Sequence, residues 1–286
     1  MTFTQSILAE GEILVVQSIS IPPYDEALKG FISTSHPEIT HLDLSKIKKG
    51  VLKKTLKKTS PSVILSIGRD ALMSVKDIRD IPVIYLMVLD PQSVLTHDDN
   101  FYGIRMNISP EKHLEIFTRT IPGINKIGLL YNPDNTGDLV EKTRDAAKKK
   151  DIILIPGEAS AGRDIPRLLK DIADKIDALW MLPDINLMTP EAIELLLIVS
   201  VERGIPILTF SDKYVEIGAL MSVAVDPYDM GRQAGEITDK LLRGDYKGKG
   251  FNTFARKGVI VLNKKIAEKL GIELKSEPDL ELKILK

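Results

Sequence analysis

The sequence contains no cysteine, which excludes disulfides, thiolate metal sites and cysteine nucleophiles. Aromatic residues make up only 5% of it, with Trp180 the single tryptophan. The four histidines, His36, His41, His97 and His113, show no close pairing at metal-ligand spacing. No run approaches the roughly 18–20 uninterrupted apolar residues of a membrane-spanning helix. The longest candidate, Ala192 to Val201, is broken by Glu194 and closes at Glu202 and Arg203. Net charge of one sign is also lacking: the formal value is −1, so no global field draws in nucleic acid or an anionic membrane. The nucleophile elbow Gly-x-Ser-x-Gly, the phosphate-cradling Gly-x-x-x-x-Gly-Lys and the dinucleotide Gly-x-Gly-x-x-Gly are all missing. Residues Met1 to Glu12 lack the apolar centre of a signal peptide.

What is present is a globular balance, 43% hydrophobic and 28% charged residues over 286 positions, enough for two domains of ordinary size. Short runs rich in Val, Ile and Leu recur at Ile13–Val16, Ile39–Leu44, Val63–Ile67, Val83–Leu89 and Tyr102–Met106. Helical stretches lie between them at Tyr24–Ile32, Lys46–Lys58 and Ala71–Ile78. In the Lys46–Lys58 stretch the lysines surround Val51, Leu52 and Leu56, the pattern of a solvated helix face. The second half repeats the scheme with strands at Ile127–Tyr131, Ile152–Pro156, Ala178–Leu182, Pro206–Phe210 and Ala219–Val225. Its helices fall at Asp138–Lys150, Ile165–Lys175 and Pro190–Arg203. Such alternation predicts two doubly wound α/β lobes with parallel sheets buried on both faces. Both halves close alike, with a strand, a proline and a helix: Tyr102–Asn107 then Pro110, and Leu220–Asp226 then Pro227. The charged stretch Lys275–Lys286 reads as a loose tail.

In open α/β sheets ligands bind beyond the carboxyl ends of the strands, at the point where strand order reverses. Those ends offer Ser18 and Ser20, then Gly68-Arg69-Asp70 and Asp90-Pro91 in the first half. The second offers Tyr131 to Asn135, Asp184 with Asn186, Ser211-Asp212 and Asp226. Asp, Asn and Ser at such exits also cap the following helices, so each has a capping role to set against a ligand role. Trp180, mid-strand, belongs in the core. Carboxylates without a histidine base or a metal motif suit recognition better than turnover, so no catalytic residue, metal or cofactor is assigned. Five carboxylates, Asp70, Asp90, Asp184, Asp212 and Asp226, face one close cation, Arg69. That balance favours a ligand carrying an ammonium group or hydroxyls, and a carboxylate too if Arg69 faces it. Tyr131 would pack on its apolar part.

The residues at these exits resemble the solute-binding proteins of ABC transporters, in the group containing the tryptophan- and tyrosine-linked binding proteins. The likeness runs from about Ile13 to Leu274. It rests on Asp80-Ile-Pro-Val-Ile-Tyr85 leading to Asp90-Pro91, on Lys126 to Asn135, and on Asp177-Ala-Leu-Trp-Met-Leu-Pro-Asp184. Gly204-Ile-Pro-Ile207, Gly218-Ala-Leu220 and Val225-Asp-Pro-Tyr-Asp-Met-Gly-Arg-Gln-Ala-Gly235 complete it. The resemblance implies a type I periplasmic-binding fold whose chain crosses a three-segment hinge near Asn107, Asp226 and Asn252. The expected lobes are 1–107 with 227–252, and 108–226 with 253–286, with the ligand cleft between them. It also implies that Ser18, Gly68, Asp90, Tyr131, Asp184 and Asp226 line the cleft, beside Arg69 and Asn186. Two departures from the family pattern stand out: Gly68-Arg69-Asp70 where many relatives have Gly-Thr-Pro, and Asp184-Ile-Asn186 where an Asp-Asn pair is common.

The implied protein is a monomeric extracytoplasmic receptor, its leader or lipid anchor removed, handing a small ligand such as an amino acid to ABC permease subunits. A ligand-sensing module acting on a separate membrane signalling protein is the alternative. A repressor effector domain would need a helix-turn-helix before Ile13, where only about a dozen residues stand.

Overall fold

The computed structural model describes residues 11–34, 38–89, 91–95, 100–184, 186–246, 249–275 and 282–285. Strands and helices alternate along most of the chain. The order begins β1 (Ile13–Gln17), α1 (Pro22–Ile32), β2 (Ile39–Asp43), α2 (Val51–Thr59), β3 (Val63–Ile67), α3 (Arg69–Val75), β4 (Val83–Leu86) and β5 (Phe101–Arg105). It continues α4 (Pro110–Thr120), β6 (Lys126–Tyr131), α5 (Pro133–Lys148), β7 (Ile153–Glu158), α6 (Ile165–Ile172), β8 (Ala178–Met181) and α7 (Pro190–Arg203). Then come β9 (Ile207–Thr209), α8 (Asp212–Glu216), β10 (Met221–Val225), α9 (Pro227–Leu242), β11 (Asn252–Phe254), β12 (Gly258–Asn263), α10 (Lys264–Leu270) and β13 (Leu282–Leu285).

The chain divides into two compact units, Met1–Asn107 with Val225–Lys257, and Ile108–Ala224 with Gly258–Lys286. The first holds a six-stranded sheet in the order β11-β5-β4-β3-β1-β2, parallel throughout. Its central strands β1 and β3 are buried along their whole length, as expected of Val/Ile/Leu runs covered by helices on both faces. The second holds a seven-stranded sheet in the order β13-β12-β10-β9-β8-β6-β7. Its pairings of β6 with β7 and β8, β8 with β9, β9 with β10 and β12 with β13 are all parallel. The doubly wound α/β reading of the sequence holds.

Local departures have local causes. The lysine-rich helix begins at Val51, not Lys46, because Gly50 has φ 92° and Asp43 folds the preceding turn. The Asp43 carboxylate accepts from Ser45 N at 3.0 Å and Ser45 Oγ at 2.6 Å. Strand β4 stops at Leu86 although the apolar run continues, because Met87 turns left-handed at φ 60°. The tail is not wholly loose: Leu282–Leu285 pairs in parallel with Ile260–Asn263, and Leu285 packs on the second unit's core.

Four helices, α4, α5, α7 and α9, start with a capping side chain followed by proline: Ser109-Pro110, Asn132-Pro133, Thr189-Pro190 and Asp226-Pro227. In each, the side-chain oxygen accepts a backbone N–H of the first turn. Proline at the first helical position loses nothing, since its N–H would be orphaned there.

Trp180 is buried in the second unit, its ring 5.1 Å from Phe117 and 5.0 Å from His113. Burial pushes the His113 imidazole down to about 4, outweighing the carbonyls of Ser109 and Ile108 that favour its protonation. An unfolded histidine titrates near 6.5, so between those values the unfolded chain binds the extra proton and acid destabilises the fold. The contribution is complete above about pH 6.5 and is lost on acidification toward pH 4, at most about 3 kcal/mol. Urea unfolding followed by Trp180 fluorescence should show a smaller acid loss in His113→Phe than in the parent. Equal losses would mean that His113 does not carry the effect.

Candidate functional site

In the first sheet the order reverses between β1 and β3: the chain leaves β1 for β2 on one side and then crosses to β3 on the other. The loops after β1 and β3 therefore diverge at one edge. Ser18, just past β1, accepts a hydrogen bond on Oγ from Ala71 N at 2.9 Å. It caps α3 from across the switch point, a service that Gly68 at the N-cap position cannot supply. Gly68 itself has φ 91°, and a Cβ there would sit 2.5 Å from the Tyr24 ring and 2.7 Å from Ser18 Oγ. Only glycine fits such a conformation in such a space.

Next to it Arg69 is exposed and forms no ion pair with a described residue. Asp70 is also exposed; burial, followed by the charge of Asp70, raises the Tyr24 phenol above its ordinary value.

The loop between β1 and α1 is pinned from below by the buried Gln17. Its Nε2 donates to Ile19 O at 2.9 Å and to Asp25 Oδ1 at 2.7 Å, and its Oε1 lies 3.0 Å from His41 Nε2. Ser20 Oγ closes the loop onto Asp25 at 2.9 Å. This bracing leaves Ile19 and Ile21 exposed at the same edge, at 45% and 37%, and Leu89 after β4 at 79%. Asp90, which follows Leu89, lies outside the described residues.

The second sheet reverses between β6 and β8. Here the exit is closed by Asp184, which is 1% exposed. One carboxylate oxygen accepts from Asn132 N at 2.9 Å and Thr136 Oγ1 at 2.8 Å, and the other from Asn135 Nδ2 and Asn186 N, each at 3.1 Å. Four donors occupy the carboxylate, and they fasten the start of α5 to the exit of β8. Asn186 is exposed, its side chain at the surface and its carbonyl accepting from Gly162 N at 3.1 Å. Tyr131 is buried and donates its hydroxyl to Glu158 Oε1 at 2.8 Å across the β6–β7 register. Burial, then Glu158, pushes its phenol above the ordinary value. Sequence reasoning placed Asp212 at this edge but missed its partner: Asp212 accepts from the buried Ser222 Oγ at 2.6 Å.

Asp226 lies at neither switch point. Its carboxylate accepts from Asp229 N at 3.1 Å and pairs with Lys257 at 2.9 Å. Burial works against its charge, but Lys257 and the N–H groups of Asp229 and Tyr228 outweigh this and hold the carboxyl below the usual range. The rest of the Asp226–Gly235 motif has a packing explanation. Asp229 receives Arg256 bidentately, at 2.9 and 3.1 Å. Gly231 and Gly235 set α9 directly against α1.

Among the described residues no group of three or more His, Asp or Glu could hold a metal ion. The structure thus brings Ser18, Gly68 and Arg69 together at one edge, and Asp184 and Asn186 at another. Tyr131 and Asp226 are tied into their own units.

The family of ABC transporter substrate-binding proteins matches residues 40–278. A tyrosine-binding protein of Clostridioides difficile (strain R20291) is 26% identical over 211 residues, 71% of this chain. The match spans 61% of that relative's length. A ligand-free, open substrate-binding protein with adhesive properties from Clostridium difficile superposes with a TM-score of 0.71, at 20% identity over 96% of this chain and all of that one. An ABC domain from Streptococcus pneumonia in complex with L-Trp gives 0.55, at 22% identity over 96% and 100%. These likenesses show the same fold, and the span of the family match shows the rest: the chain belongs to the ABC transporter substrate-binding proteins.

Proposed function

We propose that the chain is the extracytoplasmic receptor of an ABC importer, clamping a small zwitterionic ligand, an amino acid or a close relative. The observation that carries this reading is the edge of the first sheet at its switch point. Arg69, whose exposed guanidinium has no ion pair with a described residue, follows β3 there, and the exposed Ile19 and Ile21 follow β1. A guanidinium suits a carboxylate bidentately, and apolar side chains suit a hydrophobic amino-acid side chain. A relative described as tyrosine-binding and a neighbour holding L-Trp support the same class.

Arg69, the Gly68 backbone and Asp90, all in the first unit, are proposed to meet the ligand. Ser18 holds the start of α3, which carries Arg69. Calorimetric titration with L-tyrosine, L-tryptophan and aliphatic amino acids, against dicarboxylates lacking an amine, tests the class. At least one amino acid should bind in the micromolar range, about −8 kcal/mol. Tight binding of a plain dicarboxylate, with every amino acid inert, would reverse the charge argument.

A further inference from the structure

No aspartate or glutamate occurs between Asp43 and Asp70, while seven lysines do. Lys46 is satisfied by Asp43 at 2.9 Å. The other six, Lys48, Lys49, Lys53, Lys54, Lys57 and Lys58, are exposed and form no ion pair with a described residue. Other helices of this chain handle surface cations differently. They interleave both signs one turn apart, as in Lys29–Glu26, Lys142–Asp138, Arg167–Asp171 and Lys264–Glu268. On α2, by contrast, Lys53 with Lys57 and Lys54 with Lys58 are like-charged neighbours four residues apart, an arrangement that weakens a helix. Leu52 and Leu56 turn inward onto the first unit's core, which fixes the lysines on the outer face. A merely solvated face does not need this uncompensated clustering.

We propose that α2 and the turn before it form an electrostatic docking face for an anionic lipid surface. The composition of the patch selects this partner. It contains lysine without arginine from Lys46 to Gly68, hence delocalised attraction rather than bidentate recognition of one phosphate or carboxylate. No large apolar side chain of this stretch is exposed, and it contains no aromatic residue. Neither insertion into the acyl region nor stacking on nucleic-acid bases is therefore provided for. Clusters of four to eight basic residues are what an anionic headgroup layer attracts. The choice of a membrane over a soluble polyanion also rests on the receptor reading, which places the protein beside a membrane permease.

The test is sedimentation of the full chain with vesicles of phosphatidylcholine containing phosphatidylglycerol, and with phosphatidylcholine alone. The parent should bind the anionic vesicles at low salt, bind pure phosphatidylcholine weakly, and be released as the Debye length shrinks at high salt. The variant K53Q/K54Q/K57Q/K58Q should lose binding by about a hundredfold or more, since each lysine contributes roughly fivefold. Its thermal melting should be unchanged or higher, because like-charge repulsion is removed. A matched variant, K29Q/K142Q/K148Q/K264Q, carries the same charge change on faces that are already paired and should bind nearly as the parent does.

Three results would overturn the proposal: no parent binding to anionic vesicles at low salt, equal loss in both variants, or tighter binding to heparin than to the vesicles. Vesicle binding is measured without amino acid, so its failure would leave the ligand titration standing, and the reverse.

Discussion

Gly231→Ala should destabilise the protein by more than about 3 kcal/mol, at the upper end of what overpacking usually costs. A Cβ at Gly231 would lie 1.9 Å from the carbonyl oxygen of Ala27, and one at Gly30 would lie 1.9 Å from that of Tyr228. At Gly235 the obstacle is Thr34 Oγ1, at 2.0 Å. Two of these three obstacles are backbone, which no rotamer change can move, so α1 and α9 would have to separate along their contact. Total stabilities are of the order of 5–15 kcal/mol, and a loss of this size would be plain in denaturant unfolding. Gly137→Ala supplies the contrast. It makes the same change inside α5, where the nearest atom is 4.0 Å from the new Cβ, and should stabilise by up to about 1 kcal/mol through helix propensity. If the two variants unfold alike, close helix contact is not why the motif carries these glycines.

The second large effect is expected at Asp184. Replacing it with alanine leaves Asn132 N, Thr136 Oγ1, Asn135 Nδ2 and Asn186 N without their acceptor. A buried donor left unsatisfied costs about 1–3 kcal/mol. Two of the four bonds are fully buried, so a total loss of about 3–5 kcal/mol is expected. Asp184→Asn retains one accepting oxygen and should cost clearly less. A urea series on both variants decides the matter. If Asp184→Ala unfolds like the parent, its carboxylate is free for a ligand and the pinning role is wrong.

Both predictions show how much the sequence could tell. The sheets were legible because runs such as Val63–Ile67 are too apolar and too short to be anything but strands buried on two faces. The edges at which polar residues gather were legible too, because strand exits must shed their side chains toward solvent or a ligand. The division of labour among those residues was not. Ser18 reads as a ligand contact, and the structure adds that its Oγ accepts a bond from Ala71 N, more than fifty residues on. Asp226 beside Pro227 looked like a carboxylate held out for binding. The same dipeptide is equally the start of a helix, and Lys257, far along the chain, completes its neutralisation. Capping and binding use the same side chains, so the residue type at a strand exit does not by itself assign the role. The left-handed Met87 that ends β4 and exposes Leu89 left no signal in a run of apolar residues. The lysine run, by contrast, was conspicuous, and what the structure added was that, Lys46 apart, its lysines have no ion pair with a described residue.

Arg69 is the residue on which the proposed ligand contact depends. Calorimetry of Arg69→Gln against the tightest-binding amino acid found for the parent is the most direct measurement. Affinity should fall by more than about tenfold, 1.4 kcal/mol, with the melting temperature unchanged because Arg69 is exposed and has no ion pair with a described residue. Unaltered affinity in a folded Arg69→Gln would contradict the proposed contact.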